Sequence, residues 1–163
     1  MHQFFTFIKN YFMRKNISII ACLFFISFTV KAQSAEDSVK AAINKLFTAM
    51  KNGDSKALLE SFTDSAILQT VLEKDGNVSV QTEAIKEFAD FVGTQKQGDA
   101  DERITFDVIK TDGALAIAWT PYQFYYKGQF SHCGIDSYQL VRINGEWKIQ
   151  YIIDTRRKEN CGQ

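Results

Sequence analysis

The chain has 163 residues, with 19 Lys+Arg against 19 Asp+Glu, 45% hydrophobic residues, one proline, three cysteines and two histidines. That length suits one domain, and the hydrophobic fraction is that of a globular chain rather than a disordered one. A formal charge of zero lacks the basic excess on which binding to a phosphate backbone depends, so no nucleic-acid partner is expected.

The totals mix two unlike segments. Residues 1–32 carry four basic residues (Lys9, Arg14, Lys15 and Lys31), no acidic one, and seven of the fourteen phenylalanines. Met13-Arg14-Lys15 precede a fourteen-residue, mainly apolar run from Ile17 to Val30, and Lys31-Ala32-Gln33 follow. A positive start, a short hydrophobic middle and a small residue at the cut are the plan of a secretory signal. Cleavage is expected near Ala32, with Met1 or Met13 as the initiator and a secreted or periplasmic destination. Fourteen helical residues span about 21 Å, short of a hydrocarbon core of about 30 Å, so no stable membrane anchor is expected. Ile19-Ile20-Ala21-Cys22 is similar to a lipid-attachment box, but the mostly apolar Leu23 to Val30 beyond it argue against a cut there. Without residues 1–32 the domain over 33–163 has 15 basic and 19 acidic residues, a net charge of −4, one histidine (His132) and two cysteines (Cys133 and Cys161).

Along this domain Val39, Ala42, Ile43, Leu46, Phe47 and Met50 recur at helical spacing and predict a helix over 34–52, capped by Ser34 or Ser38 and stopped at Gly53. Asp54 opens a short second helix through Leu59. Ala66 to Leu72 reads as a strand, and Asp75-Gly76-Asn77 turns it into Val78-Ser79-Val80. Thr82 then caps a third helix ending at Gly93. After Gly98 the period becomes two. Ile104, Phe106 and Val108 alternate with polar residues, and Leu115, Ile117 and Trp119 alternate with alanines. The stretches from Phe130 to Arg142 and from Glu146 to Asp154 complete four antiparallel strands joined by short turns. Three helices with such a meander make an α+β domain.

The residues from Ala41 to Ala66, with a long helix, the Gly53-Asp54 turn, a short helix and Phe62 before Asp64-Ser65-Ala66, resemble the opening of nuclear transport factor 2-like proteins. Gly145-Glu146-Trp147-Lys148-Ile149 is similar to their last hairpin. Ser131-His132-Cys133-Gly134-Ile135-Asp136 with a terminal cysteine resembles the secreted bacterial SnoaL-like and lumazine-binding branch. The resemblance implies a cone, its helices packed on a strongly curved, mostly antiparallel sheet, and it implies no single reaction. In the ketosteroid isomerase branch a catalytic aspartate, a helix tyrosine and a late-strand aspartic acid do the chemistry. The matching positions here hold Thr70, Leu46 and either Ser137 or Gln139, so that carbanion mechanism is not expected.

His132 and Asp136 are the candidate catalytic residues. On an extended strand they share a face but stand about 13 Å apart, too far for a direct hydrogen bond unless a bulge intervenes. Cys133 points to the other face, and an oxidising destination favours its disulfide with Cys161, with free thiols as the alternative. If Asn144-Gly145 centres the last hairpin, Cys133 falls opposite residue 156 or 157. No His-x-His or Cys-x-x-Cys spacing suggests a metal, and no cofactor is expected. Trp119, Tyr122, Phe124, Tyr125 and Tyr126 crowd one strand around Pro121 and suggest either an aromatic-walled pocket or a core and interface strand. The basic Arg156-Arg157-Lys158 reads as a solvated tail. The expected protein is a homodimer, packed through the outer face of its sheet, that binds a small organic ligand through Trp119, Tyr122, His132, Tyr138 and Tyr151. Its alternatives are an isomerase, dehydratase or hydrolase using His132, and an interaction module whose cone is closed by Phe47, Phe62, Trp119 and Tyr151.

Overall fold

The computed structural model describes residues 35–161. The expected secretory leader with its two possible initiators, the expected cleavage near Ala32 and the candidate cap Ser34 all lie outside the described residues. Helix α1 covers 35–52, and Val39, Ile43, Leu46, Ala49 and Met50 line its buried face at the spacing that the sequence predicts. Gly53, at φ 68°, ends it, and the Asp54 side chain accepts from Ala57 N at 2.9 Å to cap α2 (Ser55–Leu59). Ser38, the other candidate cap, sits inside α1 and accepts from Trp147 Nε1 at 3.0 Å, which ties the helix to the last strand.

The strands are β1 (Phe62–Lys74), β2 (Asn77–Glu83), β3 (Ala100–Ile104), β4 (Val108–Asp112), β5 (Leu115–Tyr126), β6 (Gln129–Ile143) and β7 (Glu146–Thr155), with α3 (Ile85–Gly93) between β2 and β3. They form one curved, unclosed sheet in the order β2-β1-β7-β6-β5-β3, with β4 also paired to β5. Only β1 and β7 run parallel among the described pairs. The Asp75-Gly76, Lys127-Gly128 and Asn144-Gly145 hairpins have positive φ at both residues, the primed turns that match strand twist. Among the described residues no helix is long and apolar enough to cross a membrane.

Three local expectations change. Thr82 belongs to β2, where it pairs with Gln69 and accepts from Gln69 Nε2 at 3.0 Å, and α3 starts later with Ala84 at its cap and no side-chain bond. The strand expected through Ile104, Phe106 and Val108 is two strands. Five residues from Ile104 to Val108 oppose four from Trp119 to Tyr122 on β5, a bulge beside Pro121, which has no N–H to offer the ladder. On β5 the alanines face inward: Ala116 and Ala118 are buried in the core with Val39, Ile43, Leu46 and Leu140, whereas Leu115, Ile117 and Trp119 are exposed. Small side chains let the core side chains of α1 pack close to the sheet, so steric fit overrides the hydrophobic ranking of the two faces.

Candidate functional site

Strand register brings four inward polar residues into one row across the sheet: Thr70 on β1 faces Asp154 on β7, Asp154 faces Asp136 on β6, and Asp136 faces Thr120 on β5. All four are buried. Two buried acids directly opposite each other repel, so this row works against folding unless each is compensated. Asp154 accepts from Thr70 Oγ1 at 2.6 Å, Tyr122 OH at 3.2 Å and Arg156 Nε at 2.8 Å. Arg156 Nη2 also donates to Thr70 Oγ1 at 3.0 Å. Asp136 accepts from Thr120 Oγ1 at 3.2 Å and Tyr138 OH at 3.1 Å.

Asp136 has a further partner in Glu102 of β3. Burial, followed by the charge of Asp154, raises the Asp136 carboxyl to about 7, and a hydrogen bond from Glu102 acts in the opposite sense. Burial, followed by the charges of Asp136 and Asp154, pushes Glu102 well above the usual carboxylate range. Near neutral pH, therefore, the two carboxyls hold a proton between them, with Glu102 as the acid that donates to Asp136. Strand β3 is fixed by the neighbouring Asp101, which pairs with Lys51 of α1 at 2.8 Å and with Arg103 at 3.0 Å. The Lys51 hydrogen bond holds the Asp101 carboxyl below its ordinary value, although burial acts the other way.

These groups close one side of a cavity of about 340 Å³. Its other walls are apolar: Leu46, Phe47 and Met50 from α1, Phe88 and Phe91 from α3, Leu68, Phe124 and Ile152 from the sheet. Gly134 makes the polar side compact. A Cβ there would lie 1.7 Å from Thr155 O and 2.8 Å from the Tyr122 ring, so only glycine lets Thr155 and Tyr122 settle over β6. Tyr122 OH then donates to Thr155 O at 2.9 Å, and burial raises the phenol above its ordinary value.

Of the residues expected to bind a ligand, Tyr122, His132 and Tyr138 line the cavity, and Trp119 and Tyr151 do not. Trp119 is on the convex face for the steric reason given for β5. Tyr151 is there because an extra residue, Gln150, bulges between Ile149 and Tyr151, shifting the inward positions to Ile152 and Asp154. The Tyr151 hydroxyl instead donates to Gln69 Oε1 at 2.7 Å. Of the four residues expected to close the cone, only Phe47 lines the cavity, while Phe62 packs in the core. His132 and Asp136 both face the cavity but form no hydrogen-bonded pair. His132 Nδ1 lies 3.0 Å from Ser131 Oγ, and its ring packs against Phe124 and edge-on to Tyr122. Burial, followed by the charge of Arg156, lowers its pKa below the usual histidine value. Arg156 is exposed, as a tail residue would be, yet its pairing with Asp154 ties it to the site. Partial burial disfavours its charge, but the Asp154 hydrogen bond and the charges of Asp154, Tyr122 and Glu83 together more than offset that and raise its pKa.

Thr70 and Leu46 stand where the resemblance put a base and a tyrosine; Thr70 donates to Asp154, and Leu46 is apolar cavity wall. Ser137 and Gln139 point outward, and the inward late-strand acid is Asp136, one residue earlier. Glu102, Asp154 and Arg156 were missed as site residues. The signal for Glu102 was its place between Ala100 and Ile104 in an alternating strand, and that for Asp154 was a carboxylate at the end of an apolar one. Cys133 and Cys161 form a disulfide, and Cys133 bridges to Arg157 as the hairpin register predicts.

Comparison with known proteins agrees with this architecture. Residues 34–151 match the profile of the family described as "Putative lumazine-binding". A nuclear transport factor 2-like protein of unknown function from Shewanella baltica superposes with a TM-score of 0.60 at 15% identity, over 77% of this chain and 96% of its own. One with a cystatin-like fold from Novosphingobium aromaticivorans gives 0.63 at 12% identity, over 83% and 90%. Another, from Silicibacter pomeroyi, gives 0.58 at 16%, over 77% and 98%. Comparison with curated proteins found no match. At these identities the structures speak for the fold, which is that of nuclear transport factor 2-like proteins, and the profile spans well over half of the sequence: the chain belongs to the family described as putative lumazine-binding.

Proposed function

We propose that the protein is a secreted or periplasmic homodimer that binds a small organic molecule inside its cone. The observation that carries this reading is the cavity of about 340 Å³, apolar over most of its wall and polar on one side. Ligand sites are typically of this kind, and this volume suits a compound of one or two rings. The disulfide between Cys133 and Cys161 supports an oxidising destination. The exposed Val108, Leu115, Ile117, Trp119 and Ile143 on the convex face support pairing through the sheet. Native mass spectrometry of the protein purified from its own host tests the reading. A dimer carrying an added small mass that vanishes on denaturation is the expected result. A bare protein whose behaviour toward every tested ligand is unchanged when Phe88→Trp fills the cavity would refute it.

A second reading, acid–base catalysis, is favoured by one observation. Asp136 is held at about 7 beside Glu102, itself pushed well above the usual carboxylate range, which suits proton transfer at neutral pH better than does His132, whose ring nitrogen Nδ1 meets a serine hydroxyl rather than a carboxylate. Turnover that is lost in Asp136→Asn and kept in His132→Ala distinguishes it.

A further inference from the structure

Taking the cavity to be a binding site, as proposed above, we infer that its ligand is an organic cation, a protonated amine or amidine on an apolar or aromatic body, with the charged head against Glu102 and Asp136 and the body among Phe47, Phe88, Phe91 and Phe124. The first reason is charge. Glu83, Glu102, Asp136 and Asp154 line the cavity against a single guanidinium, Arg156. Arg156 is engaged with Asp154 at 2.8 Å. One proton neutralises the Glu102–Asp136 pair only in part, and Glu83 adds a further carboxyl. His132 supplies no positive charge at neutral pH, because burial and Arg156 disfavour its imidazolium. The cavity is therefore net negative, in surroundings of low dielectric where that charge acts strongly.

The second reason is hydrogen-bond direction. An anionic or carbonyl-rich ligand needs donors, and those of the polar side point into the wall. Tyr122 OH donates to Asp154 and Thr155, Tyr138 OH and Thr120 Oγ1 to Asp136, Thr70 Oγ1 to Asp154, and Arg156 to Asp154 and Thr70. Arg156 keeps N–H groups beyond the two used here, at the Asp154 end, and His132 keeps one ring nitrogen; at the Glu102–Asp136 end what remains for a ligand is acceptor capacity, which suits an N–H-bearing cation. The third reason is the opposite wall. Four phenylalanines at the cavity ask for a hydrocarbon body, and aromatic faces also favour a cation. A metal ion would leave that wall unused, and among the described residues no three His, Cys, Asp or Glu side chains gather as a metal site.

The test is isothermal titration at pH 7 with three probes of one shape: 2-phenylethylamine as the cation, 2-phenylethanol as the neutral form and 3-phenylpropionate as the anion. The amine is expected to bind about tenfold more tightly than the alcohol, with the propionate weakest. Glu102→Gln/Asp136→Asn is expected to remove most of the margin between amine and alcohol, leaving only the share that Glu83 supplies. Glu83→Gln, at the cavity edge and without buried partners to disturb, is expected to narrow the margin a few-fold even if the double variant does not fold. Alcohol or propionate binding as tightly as the amine to the wild type overturns the cation assignment and leaves the cavity reading standing. No heat from any probe, in the wild type and Phe88→Trp alike, overturns both.

Discussion

The concave face of the sheet is two surfaces joined along one register line. On one side of it Ala116, Ala118, Leu140 and Ile149 share a core with Val39, Ile43 and Leu46 of α1. On the other, the same strands β5, β6 and β7 turn inward Thr120, Tyr122, Asp136 and Asp154, and the cavity opens. The change occurs at the same level on β1, β7, β6 and β5, since Leu68, Ile152, Tyr138 and Ala118 form the row next to Thr70, Asp154, Asp136 and Thr120. A sheet can thus carry its stability in one half and place mutually repelling acids in the other. The packed half holds the strands in register, and the polar half is free to depart from what folding alone favours.

The comparison breaks most sharply at Gly134, the one inward residue of β6 on which the polar half is built. Gly134→Ala is expected to destabilise by about 4 kcal/mol or more, because the added Cβ meets the backbone of Thr155 rather than a side chain that can turn aside. Urea unfolding measures it, and an unchanged midpoint would show that Thr155 does not rest on this strand.

Next in size is the staple at the open end. Cys133→Ser/Cys161→Ser removes a link between residues 28 apart in sequence, for which chain entropy gives about 3 to 4 kcal/mol. The loss should fall on the tail and the polar half first. Hydrogen exchange at the paired amides of Cys133 and Arg157 should rise before exchange in the core around Ile149 does. Uniform acceleration over both halves would deny them separate stabilities.

How much of this division could be read in the sequence depended on parity. The helical face of α1, the hairpins at Asp75-Gly76 and Asn144-Gly145, and the partner of Cys133 were all legible, because each rests on local spacing or on a count of two. Trp119 and Tyr151 were misplaced because strand alternation tells which residues share a face and not which face is inward, and because the unannounced bulge at Gln150 inverts the order beyond it. Strand alternation could mark Glu102 as inward, but its role was hidden for a different reason. Its meaning comes from Asp136, which stands 34 positions later and is joined to it only by the order β3-β5-β6.

The acid pair makes the polar half sensitive to pH in a direction opposite to ordinary surface carboxylates. Asp136 is raised to about 7 in the fold from an ordinary 3.8, so the folded state binds more protons than the unfolded chain between those values. Its contribution is present in mild acid and is lost as pH rises through 7. His132 acts oppositely: its lowered pKa makes stability fall as pH drops below about 6.5. Subtracting the pH profile of Asp136→Asn from that of the wild type isolates the pair. The difference should shift against the wild type by roughly 2 kcal/mol between pH 5 and pH 8. A flat difference would mean that the two carboxyls do not share a proton.

The smallest effect on the fold is expected on the convex face, and it separates the two surfaces of a single strand. Ile117 and Trp119 expose 43% and 45% of their surface, so Ile117→Lys/Trp119→Ser removes only the part of each side chain that lies against its neighbours and should lower the stability of the protomer by about 1 to 2 kcal/mol. If these side chains form the seam between two copies, the same substitutions place a charge in an apolar interface and should convert a dimer into a monomer in sedimentation velocity. Their neighbours Ala118 and Thr120 face the other way and keep the core and the acid row intact, so affinity for 2-phenylethylamine should stay within about twofold. A dimer that survives would place the seam elsewhere. A monomer that also loses the amine would show that the cavity depends on the second copy, and the two faces of β5 would then be one functional unit rather than two.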